Sequence, residues 1–413
     1  MSSSTHPRPA TGLFTVAPWR PGESGSDPFT DLPSDVTVVG LGESAHFVAE
    51  LNQVRVDVAT RLLQRGEASH VALEIGPDEE PLVQGWLRHE RDEPLVDLVG
   101  PLTWSLYGTF LTGLRDGLAP GRAPVVLGVD LPNALTPAAS LDPLAELVDR
   151  VDPDAAALVD RARGLGSGVV GGSAAASAIA WTGLEPSVQD ALTVSLARLV
   201  GRLEAIGPVL GAGDQDWERA VDLARAARTT DLMLRAMTEL FAGEGLPADT
   251  TLRERHVADR LLAAERRLAP GERILYVAHD NHVQRAPVVF GGDVAAYPVG
   301  QALDVALGTR YRAVGLTHLD ASVPEMVVPA PTPVGFRVER VPAPGVEAGG
   351  VEAAAATVDA DVRLVRPRTG LPSGRVTTIR SQSVVTEVPV GAFDAVLVTS
   401  TATTDPAAES LTA

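Results

Sequence analysis

The chain has 413 residues, of which 45% are hydrophobic and 21% are charged, a balance typical of a globular protein with a large core. It contains neither cysteine nor lysine, which excludes disulfides, thiolate metal sites, cysteine nucleophiles and Schiff-base lysine chemistry. The formal net charge of −19 argues against a nucleic-acid partner, because contact with the phosphate backbone needs a basic surface.

Apolar runs in the sequence are all too short to cross a membrane, since none reaches roughly 18 residues. The first residues lack the basic start and apolar stretch of a secretory signal. We therefore expect a cytoplasmic protein with no membrane partner. The sequence does not determine an oligomeric state.

Short apolar runs rich in β-branched residues predict strands at 36–41, 70–75, 124–131, 273–278, 311–317 and 395–399. Helical spacing predicts a helix over 47–64 that ends at Gly66, and a helical or mixed segment over 101–117. Strands that alternate with helical segments predict an α/β fold, with a mostly parallel central sheet and flanking helices.

One such α/β domain is expected over residues 35–400, after an irregular Pro/Ser/Gly-rich lead-in at 1–34 and before a flexible tail at 401–413. Residues 139–267 show helical periodicity and no strand signal, so we expect a large helical insertion that forms a lid over the cleft. Within it, 164–172 is a candidate mobile loop, and 324–348 and 349–356 are expected to be irregular connections.

Acid–base residues lie at or just after the C-terminal ends of four of the predicted strands. Because the carboxyl ends of parallel strands share one edge, where ligands bind, we expect these side chains to meet in one cleft. The residues concerned are Glu43, His46, Glu74, Asp130, His279 and His282.

His46 is the candidate general base, because a flanking carboxylate fixes the tautomer of an imidazole and stabilises its charged form. Glu43, His46 and Glu50 have i, i+3, i+7 spacing and can share one side, and Arg55 lies further along the same helix. The alternative is that the two acidic residues serve only the helix N-terminus and its solvation.

Carboxylates at the ends of buried strands need partners. For Glu74 we expect Arg55 or His46, unless Glu74 and Asp130 already lie at the solvent rim. Arg253 and Arg255 are candidate anchors for a substrate carboxylate or carbonyl, the alternative being an exposed helix face. Substrate binding is assigned to Glu50, Asp130, Arg253, Arg255 and Trp104.

His279 and His282 are three residues apart, with Asp280 between them. They could donate hydrogen bonds to a developing oxyanion, or ligate a divalent metal with residues of the first two motifs. We expect no cofactor, and a metal held by His46, Glu74 and His279 is the lesser alternative. Neither a Gly-x-Ser-x-Gly elbow nor a complete dinucleotide fingerprint occurs.

The order of these motifs resembles that of the erythromycin esterase family. Residues 39–55 are similar to its first motif, a Gly-Glu-x-x-His turn followed by a helix with Glu and a basic residue. Four further segments are similar to its later motifs: Ala72-Leu73-Glu74, Gly128-Val129-Asp130, Arg253-Glu254-Arg255 with Ala258, and the turn from His279 to His282.

The resemblance implies hydrolysis of an ester or macrolactone by water, without a covalent intermediate and without a metal. It implies that His46 is the general base and that Glu43 and Glu74 position it or the water. Arg55, His279 and His282 would complete the site and stabilise the oxyanion. The expected partner is a small-molecule, natural-product substrate.

Two positions depart from the family pattern. Phe47 stands where Gly is frequent and is expected to crowd the cleft, and Asp280 replaces the usual Asn and is expected to add negative charge beside His279. Two other functions remain open besides an antibiotic esterase. One is a biosynthetic enzyme that catalyses acid–base elimination, cyclisation or amide processing of a natural-product intermediate, and the other is a metal- or ligand-binding protein without catalytic activity.

Overall fold

The computed structural model describes residues 12–30, 32–119, 121–210, 214–246, 248–290, 294–330, 332, 334–372 and 374–412. Its strands, in chain order, are β1 (Phe14–Pro18), β2 (Val38–Leu41), β3 (His70–Leu73), β4 (Val125–Gly128), β5 (Ile274–Val277), β6 (Val288–Phe290), β7 (Val294–Ala296), β8 (Tyr311–His318), β9 (Ser322–Val327), β10 (Arg337–Pro342), β11 (Val362–Pro367), β12 (Val376–Ser381), β13 (Val384–Pro389) and β14 (Ala395–Thr399).

The α-helices, likewise in chain order, are α1 (Ala49–Gln64), α2 (Glu80–Leu87), α3 (Leu95–Leu98), α4 (Pro101–Gly117), α5 (Pro137–Val151), α6 (Ala156–Gly166), α7 (Ala174–Thr182), α8 (Pro186–Leu210), α9 (Gln215–Phe241), α10 (Thr251–Glu265), α11 (Asp280–Val283), α12 (Val299–Leu307) and α13 (Val351–Ala355). Within the described ranges, no helix is long and apolar enough to span a membrane.

An eight-stranded sheet forms the centre of the fold, in the order β1-β11-β14-β8-β2-β5-β3-β4. The six strands from β14 to β4 are parallel, and β11 and β1 continue the sheet as antiparallel strands. This confirms the predicted α/β fold with a mostly parallel sheet. Every residue of β2 and of β5 is buried, because helices cover both faces of a parallel sheet.

Alternate residues of the strands supply the cores on the two faces of the sheet. On one face, Val39 and Leu41 pack with α1 and α4. On the other, Val38 and Tyr276 pack with α10 and α12. The carboxyl edges of the central strands are therefore held between two packed layers, which gives the turns at those edges a rigid support.

The helical insertion has a core of its own, formed by α5, α6, α8 and α9. Helix α7 and the residue that caps it are bound to two segments outside this core, since Ser177 Oγ donates to Ala134 O at 2.6 Å and Ser173 Oγ donates to Val334 O at 2.6 Å. The role of the insertion as a lid over the cleft stays a prediction. The predicted insertion, 139–267, extends too far, because α10 packs on the central sheet through Val257, Ala258 and Leu261. The first part of the candidate loop 164–172 belongs to α6.

Several segments expected to be irregular are ordered by pairing partners distant in sequence. Residues 14–18 of the lead-in form β1 against β11. The connection 324–348 contains most of the β9–β10 hairpin, and 349–356 contains α13. The hairpin of β12 and β13 was also not predicted. None of these segments has a strong local pattern, so the order comes from tertiary contacts.

Over the described residues 401–412 the tail is folded rather than frayed, which corrects the expectation of a flexible tail at 401–413. Residues 406–411 form a 3₁₀ helix with Ala407, Ala408 and Leu411 buried. The fully buried Asp405 caps this helix through Ala407 N at 2.8 Å. It also accepts hydrogen bonds from Asn52 Nδ2 at 2.9 Å and Thr109 Oγ1 at 2.5 Å. One carboxylate therefore ties the tail to α1 and α4.

Replacement of Asp405 by Ala should lower the free energy of unfolding by about 3 kcal/mol, because it removes the cap and leaves the donors on Asn52 and Thr109 without an acceptor. Urea denaturation monitored by circular dichroism measures this change. Asp154→Ala is the control, since that side chain is 89% exposed. Equal stabilities of the two variants would contradict the role given to Asp405.

Candidate active site

Glu43 and Arg55 form a buried ion pair at the centre of the catalytic edge. Arg55 Nη1 lies 2.6 Å from Glu43 Oε2. Arg55 is fully buried and also donates to Gly42 O at 3.1 Å and to Ala278 O at 2.5 Å. It therefore supports Glu43 and the ends of β2 and β5, and it has no exposed face for substrate. This corrects the expectation that Arg55 stabilises an oxyanion directly.

His46 is presented to the cleft by the same carboxylate. Its Nδ1 lies 2.8 Å from Glu43 Oε1, and 21% of its side chain is exposed. Because a carboxylate accepts from Nδ1–H, the lone pair of the neutral ring is at Nε2. Nε2 has no hydrogen-bond partner in the described part of the chain, so it is available to a water molecule or substrate.

Glu74 is buried, and each of its two carboxylate oxygens has hydrogen-bond or ion-pair partners. These partners are not Arg55 or His46, which were expected from the sequence. Oε2 accepts from His279 N at 2.8 Å and from Tyr107 OH at 3.3 Å. Oε1 lies 3.2 Å from His282 Nε2 and 3.5 Å from Arg253 Nη2. These donors compensate for the loss of hydration on burial. They also fix the carboxylate between α4, α10 and the turn from His279 to His282.

His282 bridges two carboxylates. Its Nδ1 lies 2.8 Å from both oxygens of Glu254, and its Nε2 faces Glu74. Burial opposes a charge on the ring, but Glu254 and Glu74 outweigh it and raise the pKa of His282 to about 9. His282 is therefore a cation at neutral pH. Glu254 is held in turn by Val299 N at 3.1 Å.

His279 is neutral and hydrogen-bonded through both ring nitrogens. Nε2 lies 3.0 Å from Ser44 O, and Nδ1 accepts from Asn281 N at 3.1 Å. Burial, reinforced by charge on His46 and His282, holds the pKa of His279 well below its usual value. Its ring centre lies 4.8 Å from that of His46, so its ring packs beside the candidate base.

These contacts do not fit the metal site considered for His46, Glu74 and His279. Both nitrogens of His279 already bind backbone groups, and Glu74 is occupied by four donors. Among the residues that the structure describes, no group of three or more His, Asp or Glu side chains is arranged to hold a metal ion.

Asp280 does not add negative charge beside His279, which corrects that expectation. Its carboxyl group turns toward Gly42 and Gly315 and accepts from Leu316 N at 3.2 Å. Burial raises the pKa of Asp280 well above its usual range, so the neutral acid is favoured. Gly42 is required here, because a Cβ atom at that position would lie 1.7 Å from Asp280 Oδ1.

Asp130 and Arg253 form a bidentate ion pair at the edge of the site. Arg253 Nε donates to Asp130 Oδ1 at 2.8 Å, and Nη2 donates to Oδ2 at 2.5 Å. Burial opposes ionisation of Asp130, but Arg253 outweighs it and lowers the pKa. Arg253 Nη1 has no partner within the described ranges, and 31% of the side chain is exposed. A free N–H group therefore remains for a ligand.

Three predicted substrate-binding residues lie elsewhere. Glu50 accepts from Thr401 Oγ1 and Thr403 N, at 2.8 and 2.7 Å, and so anchors the tail. Arg255 pairs with Asp259 on the exposed face of α10. Trp104 packs on Gly108 and the core between α1 and α4. For Arg255, the helical periodicity places the side chain on the exposed face of α10, next to the buried Glu254.

Sequence reasoning missed three residues of the site: Tyr107, Glu254 and Gln382. Glu254 could have been found, because it shares the buried face of α10 with Val257, Ala258 and Leu261. Tyr107 lies on the buried face of α4. Gln382 carries no motif; it reaches the site through the unpredicted β12–β13 hairpin, and its Oε1 accepts from His46 N at 2.6 Å.

Phe47 does not crowd the cleft. Its side chain is buried in a small cluster with Val334, Phe336 and Leu411. Its φ of 63° is in the left-handed region, which Gly adopts most easily. The backbone thus explains why Gly suits this position, and the burial of the aromatic ring offsets the strain.

Substitution of His282 by Asn should make stability less dependent on pH. The pKa of His282 rises from 6.5 to about 9 on folding, so its ion contacts contribute fully below about pH 6.5 and are lost as the pH rises through about 9. The difference in unfolding free energy between wild type and His282→Asn should therefore be largest near pH 6 and shrink toward pH 10. Urea titrations across this range measure it, and His89→Asn is the control. A constant difference would contradict the cationic assignment.

Comparisons with known proteins identify the family of this chain. Residues 114–402 match the family model described as erythromycin esterase. The chain is 34% identical over 328 residues to erythromycin esterase type I of Escherichia coli, covering 78% of this chain and 80% of that one. It is 25% identical over 336 residues to erythromycin esterase type II of the same organism, covering 79% and 80%. A solved structure of a histidine-to-asparagine mutant of erythromycin esterase EreC, in its open conformation, matches with a TM-score of 0.84 and 30% identity over 95% of this chain and 98% of that one. The chain therefore belongs to the erythromycin esterase family, a family of ester hydrolases.

Proposed function

We propose that this enzyme hydrolyses the ester bond of a macrolide lactone with water activated by His46, without a covalent intermediate. The observation that carries the proposal is the pairing of His46 Nδ1 with Glu43 at 2.8 Å, which leaves Nε2 free at the cleft. Family membership supports the reaction class, since two relatives are named erythromycin esterases. Erythromycin is therefore the first substrate to test.

The reaction begins when His46 Nε2 removes a proton from a water molecule as the oxygen attacks the ester carbonyl. Glu43 stabilises the imidazolium that forms, and Arg55 keeps Glu43 in place. The tetrahedral intermediate then expels the alkoxide oxygen, which takes the proton from His46. The products are a carboxylic acid and an alcohol on the same opened ring, and one water molecule is consumed.

Arg253 is the proposed donor to the negative oxygen of the tetrahedral intermediate. Asp130 binds its Nε and Nη2 and leaves Nη1 free, so the guanidinium is oriented before substrate arrives. The positive charge of His282 adds to the favourable potential, although its two N–H groups are engaged by Glu74 and Glu254. Preorganised donors of this kind require little rearrangement during the reaction.

Direct attack by water is supported by the surroundings of His46. Ser44, the hydroxyl residue two positions before it, is fully buried. The chain has no cysteine. Water is therefore the nucleophile that best fits this site. No observation favours elimination, cyclisation or ligand storage over hydrolysis. The cytoplasmic location expected from the sequence stays a prediction.

His46→Ala and Glu74→Gln should each lower kcat for erythromycin by about 100-fold or more, because one loses the base and the other weakens the network that fixes the site. Mass spectrometry should show that the wild-type product is heavier than the substrate by one water. The assays use protein dialysed against EDTA, which should leave the rate unchanged. Full activity of His46→Ala, or a loss on dialysis that added zinc restores, would contradict the mechanism.

Arg253→Lys should lower kcat by about 10- to 100-fold. The ammonium group preserves the charge beside Asp130, but it cannot form the bidentate ion pair and has no counterpart of the free Nη1 group. Arg255→Lys is the matched control two residues away on the exposed face, and its kcat should equal that of wild type. Steady-state kinetics on both variants measure the effect. Equal rates for the two would remove Arg253 from the mechanism.

A further inference from the structure

The tip of the β12–β13 hairpin contacts the turn that carries His46. Its two-residue loop consists of Gln382 and Ser383, between the paired residues Ser381 and Val384. Gln382 N donates to Ser44 O at 2.6 Å, and His46 N donates to Gln382 Oε1 at 2.6 Å. One residue thus forms hydrogen bonds to the backbone on both sides of Ala45. These two contacts restrain the backbone on both sides of Ala45.

The hairpin tip is itself held from two directions. Glu325 of β9 accepts from Gln382 Nε2 at 3.2 Å and from Ser383 N at 3.0 Å. On the other side, Asn281 Nδ2 donates to Ser381 Oγ at 3.1 Å, which connects the tip to the turn of His279 and His282. The tip is therefore a bridge between the two turns that carry the histidines of the site.

The conformation of this loop does not explain why Gln is present. Gln382 has a φ of 52°, in the left-handed region, where Gly, Asn and Asp are the favoured residues of two-residue hairpin loops. A longer side chain is disfavoured there. The length of Gln, however, lets its amide oxygen reach His46 N. The contact with the His46 turn is thus the structural benefit that offsets the unfavourable backbone.

We propose that Gln382 is a positioning residue for the general base. The proposal rests on the role of His46 in the proposed function. Phe47, directly after His46, also has a left-handed backbone, so the turn departs from relaxed geometry on that side. Gln382 restrains the other side and sets the position of the imidazole relative to the ester carbonyl. A small displacement of a catalytic group lowers the chemical rate more than it lowers substrate binding.

Gln382→Gly separates this role from a merely structural one. Gly adopts the left-handed conformation without strain, which offsets part of the loss of the two side-chain hydrogen bonds, so the variant should fold, yet it cannot accept from His46 N. We expect kcat for erythromycin to fall at least 10-fold while KM stays within threefold. Ser383→Ala is the matched control, because only the backbone of Ser383 contacts Glu325. A kcat of Gln382→Gly within threefold of wild type, or an equal loss in Ser383→Ala, overturns the proposal.

A paired substitution tests the acceptor directly. Gln382→Glu keeps an oxygen for His46 N but places a carboxylate beside Glu325. Adding Glu325→Gln removes this repulsion. The new side-chain amide at position 325 can then donate to the carboxylate at position 382, which reverses the direction of the wild-type hydrogen bond. We expect the double variant to recover kcat to within threefold of wild type. A double variant that is as slow as Gln382→Gly would overturn the assignment of the amide oxygen.

A measurement without substrate distinguishes this proposal from the proposed function. In Gln382→Gly, amide hydrogen exchange of the peptide that contains His46 should be at least 10-fold faster than in wild type, and in Ser383→Ala it should be unchanged. If wild type does not hydrolyse erythromycin but exchange responds in this way, the proposed function fails and the restraint by Gln382 stands. Unchanged exchange in Gln382→Gly overturns the restraint whatever the activity.

Discussion

Glu43 is a carboxylate buried at the edge of the sheet, and the guanidinium of Arg55 compensates its charge at 2.6 Å. A buried charge without a partner would be strongly destabilising, and removal of either member would leave the other uncompensated. Arg55 extends from α1 to the ends of β2 and β5, where it binds Gly42 O and Ala278 O. The ion pair therefore fixes the helix, the two central strands and the carboxylate that orients His46 as one unit.

The remaining charges of the site follow the same rule of mutual compensation. Four carboxylates face three groups that are cationic at neutral pH, and the set consists of Glu43, Glu74, Asp130 and Glu254 with Arg55, Arg253 and His282. His279 is held neutral and adds no charge to this set, and in the proposed reaction His46 takes up a proton. When it does, the positive and negative charges become equal in number.

Much of this site could be predicted from sequence, because strand ends are local features. A polar residue after a run such as Val71-Ala72-Leu73 must lie at a sheet edge, and parallel topology brings such edges together. The errors arose where a side chain's direction mattered. Arg255 and Glu254 are adjacent, but only the buried face of α10, seen in Val257 and Leu261, shows that Glu254 points inward. Gln382 could not be predicted, since its contact depends on a hairpin 336 positions away from His46.

The tail residues have a consequence for how the enzyme is made. Glu50 and Phe47, on either side of the start of α1, are bound by Thr403 and Asp405, and β14 lies inside the sheet between β11 and β8. Ribosomes synthesise the chain from its N-terminus, so the segment with His46 emerges about 350 residues before its partners. The turn that carries His46 can therefore reach its final geometry only after Thr403 and Asp405 have left the ribosome. Until then, Glu50 and Phe47 lack these contacts.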